Sequence, residues 1–216
     1  MTDSQRTLIA VLLDRSGSME AVKSDTEGGF NAFVDTQRAE TGDARVTLAQ
    51  FDTHYEVVYA NRPIGDVPRL DLQPRGGTAL YDALGRLITD VGAELAALPE
   101  AERPCTVVVV VLTDGHENSS REWNHEAVSA AIRRQESEYA WDFLFLGANM
   151  DAVQIGTALG IRADRSLTWD TTGGGVANAM ASAGAFIARR RSAPVGAAVD
   201  GFSEVDRRAA RDSTKR

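Results

Sequence analysis

The chain has 216 residues and a formal charge of −8. That length suits one domain with a full core, and the acidic balance argues against nucleic acid as a partner, since phosphate binding needs a basic face. A single cysteine, Cys105, excludes an intramolecular disulfide, and the longest apolar run, Val107 to Leu112, is far short of the roughly 20 residues of a membrane helix.

Met1 to Arg6 is polar and expected to fray. Leu8 to Leu13 is continuously apolar, the pattern of a strand covered on both faces, and predicts a strand over Thr7 to Leu13. It is too short for the core of a signal peptide, so a soluble, cytoplasmic chain without a membrane partner is expected. Asp14-Arg15-Ser16-Gly17-Ser18-Met19 follows. Met19, Val22, Phe30, Phe33, Val34 and Gln37 then share one helical face, predicting a helix over about Ala21 to Ala39 that Gly28-Gly29 weakens or bends.

Thr41-Gly42-Asp43 is a turn, and Arg45 to Phe51 alternates as a strand. Asp52-Thr53 separates it from a second alternating run, His54 to Tyr59. Two strands joined by two residues form a hairpin, which puts an antiparallel edge strand on the sheet. Asn61 to Pro74, with three prolines, reads as a surface connector. Arg75-Gly76-Gly77-Thr78 is a second glycine-rich loop, and it opens a helix marked by Leu80, Leu84, Leu87, Ile88, Val91 and Leu95 and ended by Pro99.

Thr106 to Leu112 is the strongest buried-strand signal and ends in Thr113-Asp114-Gly115. Cys105, at its start, is expected in the core. A helix over Trp123 to Glu138, a strand over Trp141 to Leu146, a helix over Asp151 to Leu159 and a short strand over Ser166 to Trp169 follow. Thr171 to Gly175 is a polar loop without the Lys-Ser/Thr ending of a phosphate loop, and Val176 to Arg190 is an Ala-rich helix. From Ser192 the chain is polar and locally basic, with few apolar residues to repay ordering. A solvated, flexible tail over 192–216 is expected beyond a domain spanning 1–191; the other reading docks the tail on an acidic surface of its own body or of a partner.

Alternation of strands and helices implies a doubly wound α/β domain with a mostly parallel six-stranded sheet, one antiparallel edge strand and helices on both faces. Right-handed crossovers bring the loops that leave parallel strands to one edge, where ligands bind. Asp14 leaves the first strand, Asp114 leaves the Val-rich strand, and Thr78 starts a helix at that edge. Ser16 and Ser18 add two hydroxyls beside Asp14. The result is an oxygen-rich set suited to a hard cation such as Mg2+; for the serines, helix capping is the plainer alternative.

These residues carry a resemblance. Asp14-x-Ser16-x-Ser18, Thr78 in Gly-Gly-Thr-Ala-Leu and Asp114 in Leu-Thr-Asp-Gly are similar to the metal-ion-dependent adhesion site of the von Willebrand factor type A (vWA) family. More narrowly, the chain resembles small stand-alone bacterial or phage members, over Thr7 to about Arg190. The resemblance implies a Rossmann-like vWA fold and a divalent cation held by Asp14, Ser16, Ser18, Thr78 and Asp114, with Mg2+ expected and Mn2+ or Ca2+ also admissible. It also implies a partner protein that supplies an Asp or Glu to the ion, and a binding module rather than an enzyme. Two alternatives remain at this point. One is a metal-assisted phosphohydrolase, against which Ser16 stands where a second Asp would be needed. The other is a scaffold with a structural metal site. Arg15 and Arg75, beside the ligand loops, are candidates to attract a partner carboxylate. His116, Glu117 and Asn118 are expected to be exposed near the site; a solvated loop is the plainer reading, and tuning of partner choice the other.

Overall fold

A computed structural model describes residues 3–172, 174–194 and 196–211. Met1 and Thr2 of the expected frayed start, Gly173 of the polar loop, and Asp212, Lys215 and Arg216 of the tail lie outside these. Six strands form one sheet: β1 (Asp3–Asp14), β2 (Asp43–Phe51), β3 (Tyr55–Pro63), β4 (Pro104–Thr113), β5 (Asp142–Ala148) and β6 (Ser166–Trp169), in the order β3-β2-β1-β4-β5-β6. All neighbours are parallel except β2 and β3, which is the expected mixed sheet with one antiparallel edge strand. β1 begins at Asp3 instead of fraying through Arg6. β3 runs on to Pro63, into the stretch expected as a connector.

Among the described residues six α-helices cover the sheet: α1 (Lys23–Ala39), α2 (Leu80–Ala97), α3 (His125–Tyr139), α4 (Ala152–Ala158), α5 (Gly175–Ser192) and α6 (Glu204–Arg211). Strand periodicity divides the core. Ile9, Val11 and Leu13 face Phe30, Phe33 and Phe186 of α1 and α5. Leu8, Ala10 and Leu12 share the opposite layer with Leu84, Leu87, Val128 and Ile132 of α2 and α3. A sheet covered on both faces needs the continuous apolar strands seen in β1 and β4.

Gly28-Gly29 does not break α1, which is preceded by a 3-10 turn over Gly17–Val22. A Cβ on Gly29 would stand 3.0 Å from Ala177 Cα, so this glycine lets α1 and the Ala-rich α5 pack backbone to backbone. Arg191 closes the far end of α1, donating to the carbonyls of Gln37, Glu40, Thr41 and Gly42. Cys105 is only half-buried, with its sulfur 3.6 Å from the Arg6 carbonyl. It sits at the open starting end of β4, one residue short of the buried part of the strand.

The solvated tail expected after Ser192 is corrected. Residues 197–211 pack on their own body and end in α6, with Phe202 and Ala210 buried. The contacts repay ordering because they satisfy backbone groups at the start of β6 and on either side of it. Asp170 N–H donates to the Ala210 carbonyl at 3.0 Å, Phe202 N–H to Asp164 at 2.6 Å, and the Arg207 guanidinium reaches the Ser166 and Ala163 carbonyls at 2.9 and 3.0 Å. Phe202→Ala is therefore expected to cost roughly 3 kcal/mol in chemical denaturation, whereas a solvated tail would leave stability unchanged. No helix among the described residues is long and apolar enough to cross a membrane.

Candidate metal centre

β1 delivers Asp14 to the carboxyl edge of the sheet, fully buried. One carboxylate oxygen accepts the Ser16 N–H at 2.7 Å, which turns the chain into the 3-10 segment; the other accepts the Thr113 hydroxyl at 2.6 Å. The hydroxyls of Ser16 and Ser18 stand 3.1 Å apart, and Ser18 donates to Asp114 at 2.7 Å. Thr78 Oγ1 and Ser18 Oγ approach one point from two loops: a Cβ on Gly115 would lie 3.2 Å from the first and 3.9 Å from the second. Asp14, Ser16, Ser18, Thr78 and Asp114 thus come together. Four of them are buried and Ser18 is exposed, so the cluster opens to solvent on the Ser18 side. Neither serine uses its hydroxyl as a side-chain cap on the following helical turn.

Two carboxylates share this place with little water. Burial pushes Asp14 up from 3.8 to about 6, against the hydrogen bonds from Thr113 and Ser16 and with a smaller contribution from Asp114. Burial also raises Asp114, opposed by the Ser18 hydroxyl. A site that is costly to ionise, and lined by hydroxyl and carboxylate oxygens, fits a divalent cation, which would favour both charged forms.

The loops are fastened to each other through their backbones. Arg75 N–H donates to the Arg15 carbonyl at 2.7 Å, Gly17 N–H to Gly76 at 3.1 Å, and Asn118 N–H to Thr78 at 3.0 Å. Gly76 adopts φ 69°, which a side chain would strain. The loop after Asp114 is laced to the first turn of α2. Glu117 accepts from the N–H groups of Tyr81, Ser119 and Ser120, and Asp82 accepts from those of Arg121, Glu122 and Trp123. α2 has no side-chain cap of its own from Ala79; Glu117 and Ser120 bind its free N–H groups from the neighbouring loop.

This corrects two expectations. His116 and Asn118 are exposed as expected, but Glu117 is only half-exposed and is taken up by the Tyr81, Ser119 and Ser120 N–H groups, while Asn118 Oδ1 also accepts the Thr78 N–H at 3.0 Å. Arg15 is buried, and its guanidinium is taken up by Asp52 and Glu56 at 2.9 and 2.6 Å, so it is not free for a partner. Arg75 is mostly exposed but also binds Asp52, at 2.9 Å.

Sequence reasoning missed three residues. Thr113 holds Asp14. Asp52 gathers the two arginines; burial would push its pKa up, but the hydrogen bonds from Arg75, His54 N–H and Arg15 bring it down to about 2. Asn149, in the left-handed region at φ 55°, donates to the Asp114 carbonyl at 3.2 Å. The signal for Thr113 and Asn149 was their position, since each ends or follows a parallel strand at the same sheet edge.

No family model matches the chain, and no curated protein matches it. Solved structures do. Proximal thread matrix protein 1 of the mussel byssus matches with a TM-score of 0.61 at 16% identity, over 86% of this chain and 47% of that one. A von Willebrand factor type A protein of Catenulispora acidiphila matches with a TM-score of 0.57 at 18% identity, over 86% and 43%. The mussel protein with a zinc-occupied MIDAS motif matches with a TM-score of 0.51 at 17% identity, over 78% and 42%. The chain spans less than half the length of each of these. At such identities the likeness establishes the fold, which is that of a von Willebrand factor type A domain.

Proposed function

We propose that this chain is a metal-ion-dependent protein-binding module. Asp14, Ser16, Ser18, Thr78 and Asp114 hold a divalent cation, Mg2+ by preference. An Asp or Glu of a partner protein completes the coordination. The observation that carries this reading is the convergence of five oxygen-bearing side chains from three loops, two of them carboxylates whose ionisation burial resists. The zinc-occupied motif of the mussel protein supports a divalent ion at this edge of the fold. Mg2+ suits a hard oxygen donor set and keeps waters that a partner carboxylate can replace.

An enzymatic role has less to draw on. The carboxylates that the Ser18 and Thr113 hydroxyls reach, Asp114 and Asp14, are the ones assigned here to the cation, and among the described residues no His or Lys side chain hydrogen-bonds to those hydroxyls. A general base must stand within reach of the proton it takes. Beside the Thr78 loop lies a polar groove of 670 Å³, lined by Thr53, His54, Arg86, Asn118 and Arg121 among others, with room for the chain that flanks the partner's carboxylate.

The test is affinity capture from a native lysate in Mg2+, repeated with EDTA and with Asp14→Ala. Capture of a protein that is lost in both controls is expected. A partner retained through chelation and through Asp14→Ala would sink the proposal.

A further inference from the structure

We infer that Asp52 is a positioning residue of the cation site, holding the Thr78 loop against the Asp14 loop through Arg15 and Arg75. The inference rests on reading the five oxygens as a cation site. Asp52 lies in the β2–β3 turn and carries none of those oxygens, yet it is 1% exposed. Its Oδ2 accepts from Arg15 Nε and from Arg75 Nε, both at 2.9 Å. Its Oδ1 accepts the His54 N–H at 2.8 Å. Its carbonyl accepts the N–H of Ala79, the residue after Thr78, at 2.9 Å.

The two arginines come from opposite sides of the site. Arg15 stands between Asp14 and Ser16, and Arg75 opens the loop that ends in Thr78. Their backbones meet directly as well, Arg75 N–H donating to the Arg15 carbonyl at 2.7 Å and Arg15 N–H to Phe51 at 2.7 Å. One carboxylate therefore joins the first ligand loop, the second ligand loop and the turn behind them. Glu56, the other acidic partner of Arg15, reaches only that arginine and is more than half exposed.

Asp52 would act on the cation in two ways with the same sign. Coordination needs oxygens placed to a fraction of an ångström, and supporting hydrogen bonds supply that placement. Asp52 also balances two guanidinium charges carried on the loops that bind the ion. A neutral residue there leaves a positive surplus that repels a cation.

The experiment is isothermal titration of Mn2+ and Mg2+ into the full chain, with melting in EDTA as a parallel readout. Asp52→Asn is expected to weaken cation binding by roughly tenfold or more, and Arg75→Lys, which keeps the charge and loses the Nε contact, to weaken it in the same direction. Glu56→Gln, at a side chain more than half exposed, is expected to weaken it less than Asp52→Asn does. Asp52→Asn should cost less affinity in an Arg75→Ala background than in the parent, because the two side chains act as one unit. A merely structural role for Asp52 would lower the melting point in EDTA and leave the dissociation constant where it was; that result overturns the inference. Should Asp52→Asn fail to fold, Arg75→Lys decides, and an unchanged dissociation constant there overturns it too. A parent chain that takes up neither ion removes the cation reading itself, an outcome distinct from a parent that binds and variants that bind equally.

Discussion

Asp14→Asn is expected to raise the melting temperature of the cation-free protein near neutral pH, and to abolish the further rise that Mg2+ gives the parent. Asp14 is fully buried and its pKa is pushed from 3.8 to about 6. At about 1.4 kcal/mol per unit, keeping it ionised costs the cation-free fold on the order of 3 kcal/mol. The folded value lies above the unfolded one, so this contribution to stability is fully present below about pH 4 and is lost as pH rises through about 6.

Asparagine is nearly isosteric and carries no charge. Its carbonyl oxygen can still accept the Ser16 N–H that shapes the loop. The variant should therefore lose the fall in stability across that window, while losing one of the two charges proposed to hold the ion. In the parent, protons and cations compete for the same carboxylate, and stabilisation by Mg2+ should grow as pH rises through about 6. Melting curves with EDTA and with Mg2+, across that range, measure both effects. A variant that Mg2+ stabilises as much as it does the parent would remove Asp14 from the ligand set, and with it the cation reading.

Gly85→Ala is expected to destabilise the protein by about 1–3 kcal/mol, the cost of overpacking, although alanine gains roughly 1 kcal/mol over glycine in a helix interior. The added Cβ would stand 2.1 Å from Trp123 Cδ2 and 2.3 Å from Cε2. The main chain that carries the indole is fixed, since the Trp123 backbone N–H is held by Asp82 at 2.7 Å and the preceding residues of the loop by Asp82 and Glu117. That loop begins at Asp114, so strain at Gly85 reaches the candidate centre. Gly92→Ala in the same helix is the contrast: the nearest heavy atom to its Cβ is Gln135 Nε2 at 4.0 Å. There the helical gain stands alone, and stabilisation of up to about 1 kcal/mol is expected. Denaturant titration of the two variants compares them; the same sign for both would show that Trp123 does not close on Gly85.

A good part of the architecture was legible because it follows from local pattern. The all-apolar runs of β1 and β4 require cover on both faces, and the alternation of elements then implies the mixed sheet that is found. The grouping of Asp14, Ser16, Ser18, Thr78 and Asp114 at one place was legible too, since parallel strands with right-handed crossovers deliver their loops to one edge. What escaped were interactions whose two halves lie far apart in sequence. Arg15 looked free because Asp52 and Glu56 are on the next hairpin. Glu117 looked exposed because Tyr81, whose N–H it accepts, lies 36 residues before it. Cys105 looked buried because a strand's periodicity does not say where its covering layers stop.

The tail shows the same division. Its composition lacks the apolar residues that ordering requires of an isolated segment. The structure packs residues 196–211 of it on the body with two buried side chains, backbone hydrogen bonds to Asp164 and Asp170 and a bond from Arg207 to the Ser166 carbonyl. By itself, the sequence determined which residues are apolar in which period and which carry oxygens at strand ends; these set the sheet, its two covered faces and the oxygen-rich edge. Only the tertiary structure decided which charged groups are spent on one another and which remain for a ligand. Pairing of that kind depends on distances between segments that no local pattern contains.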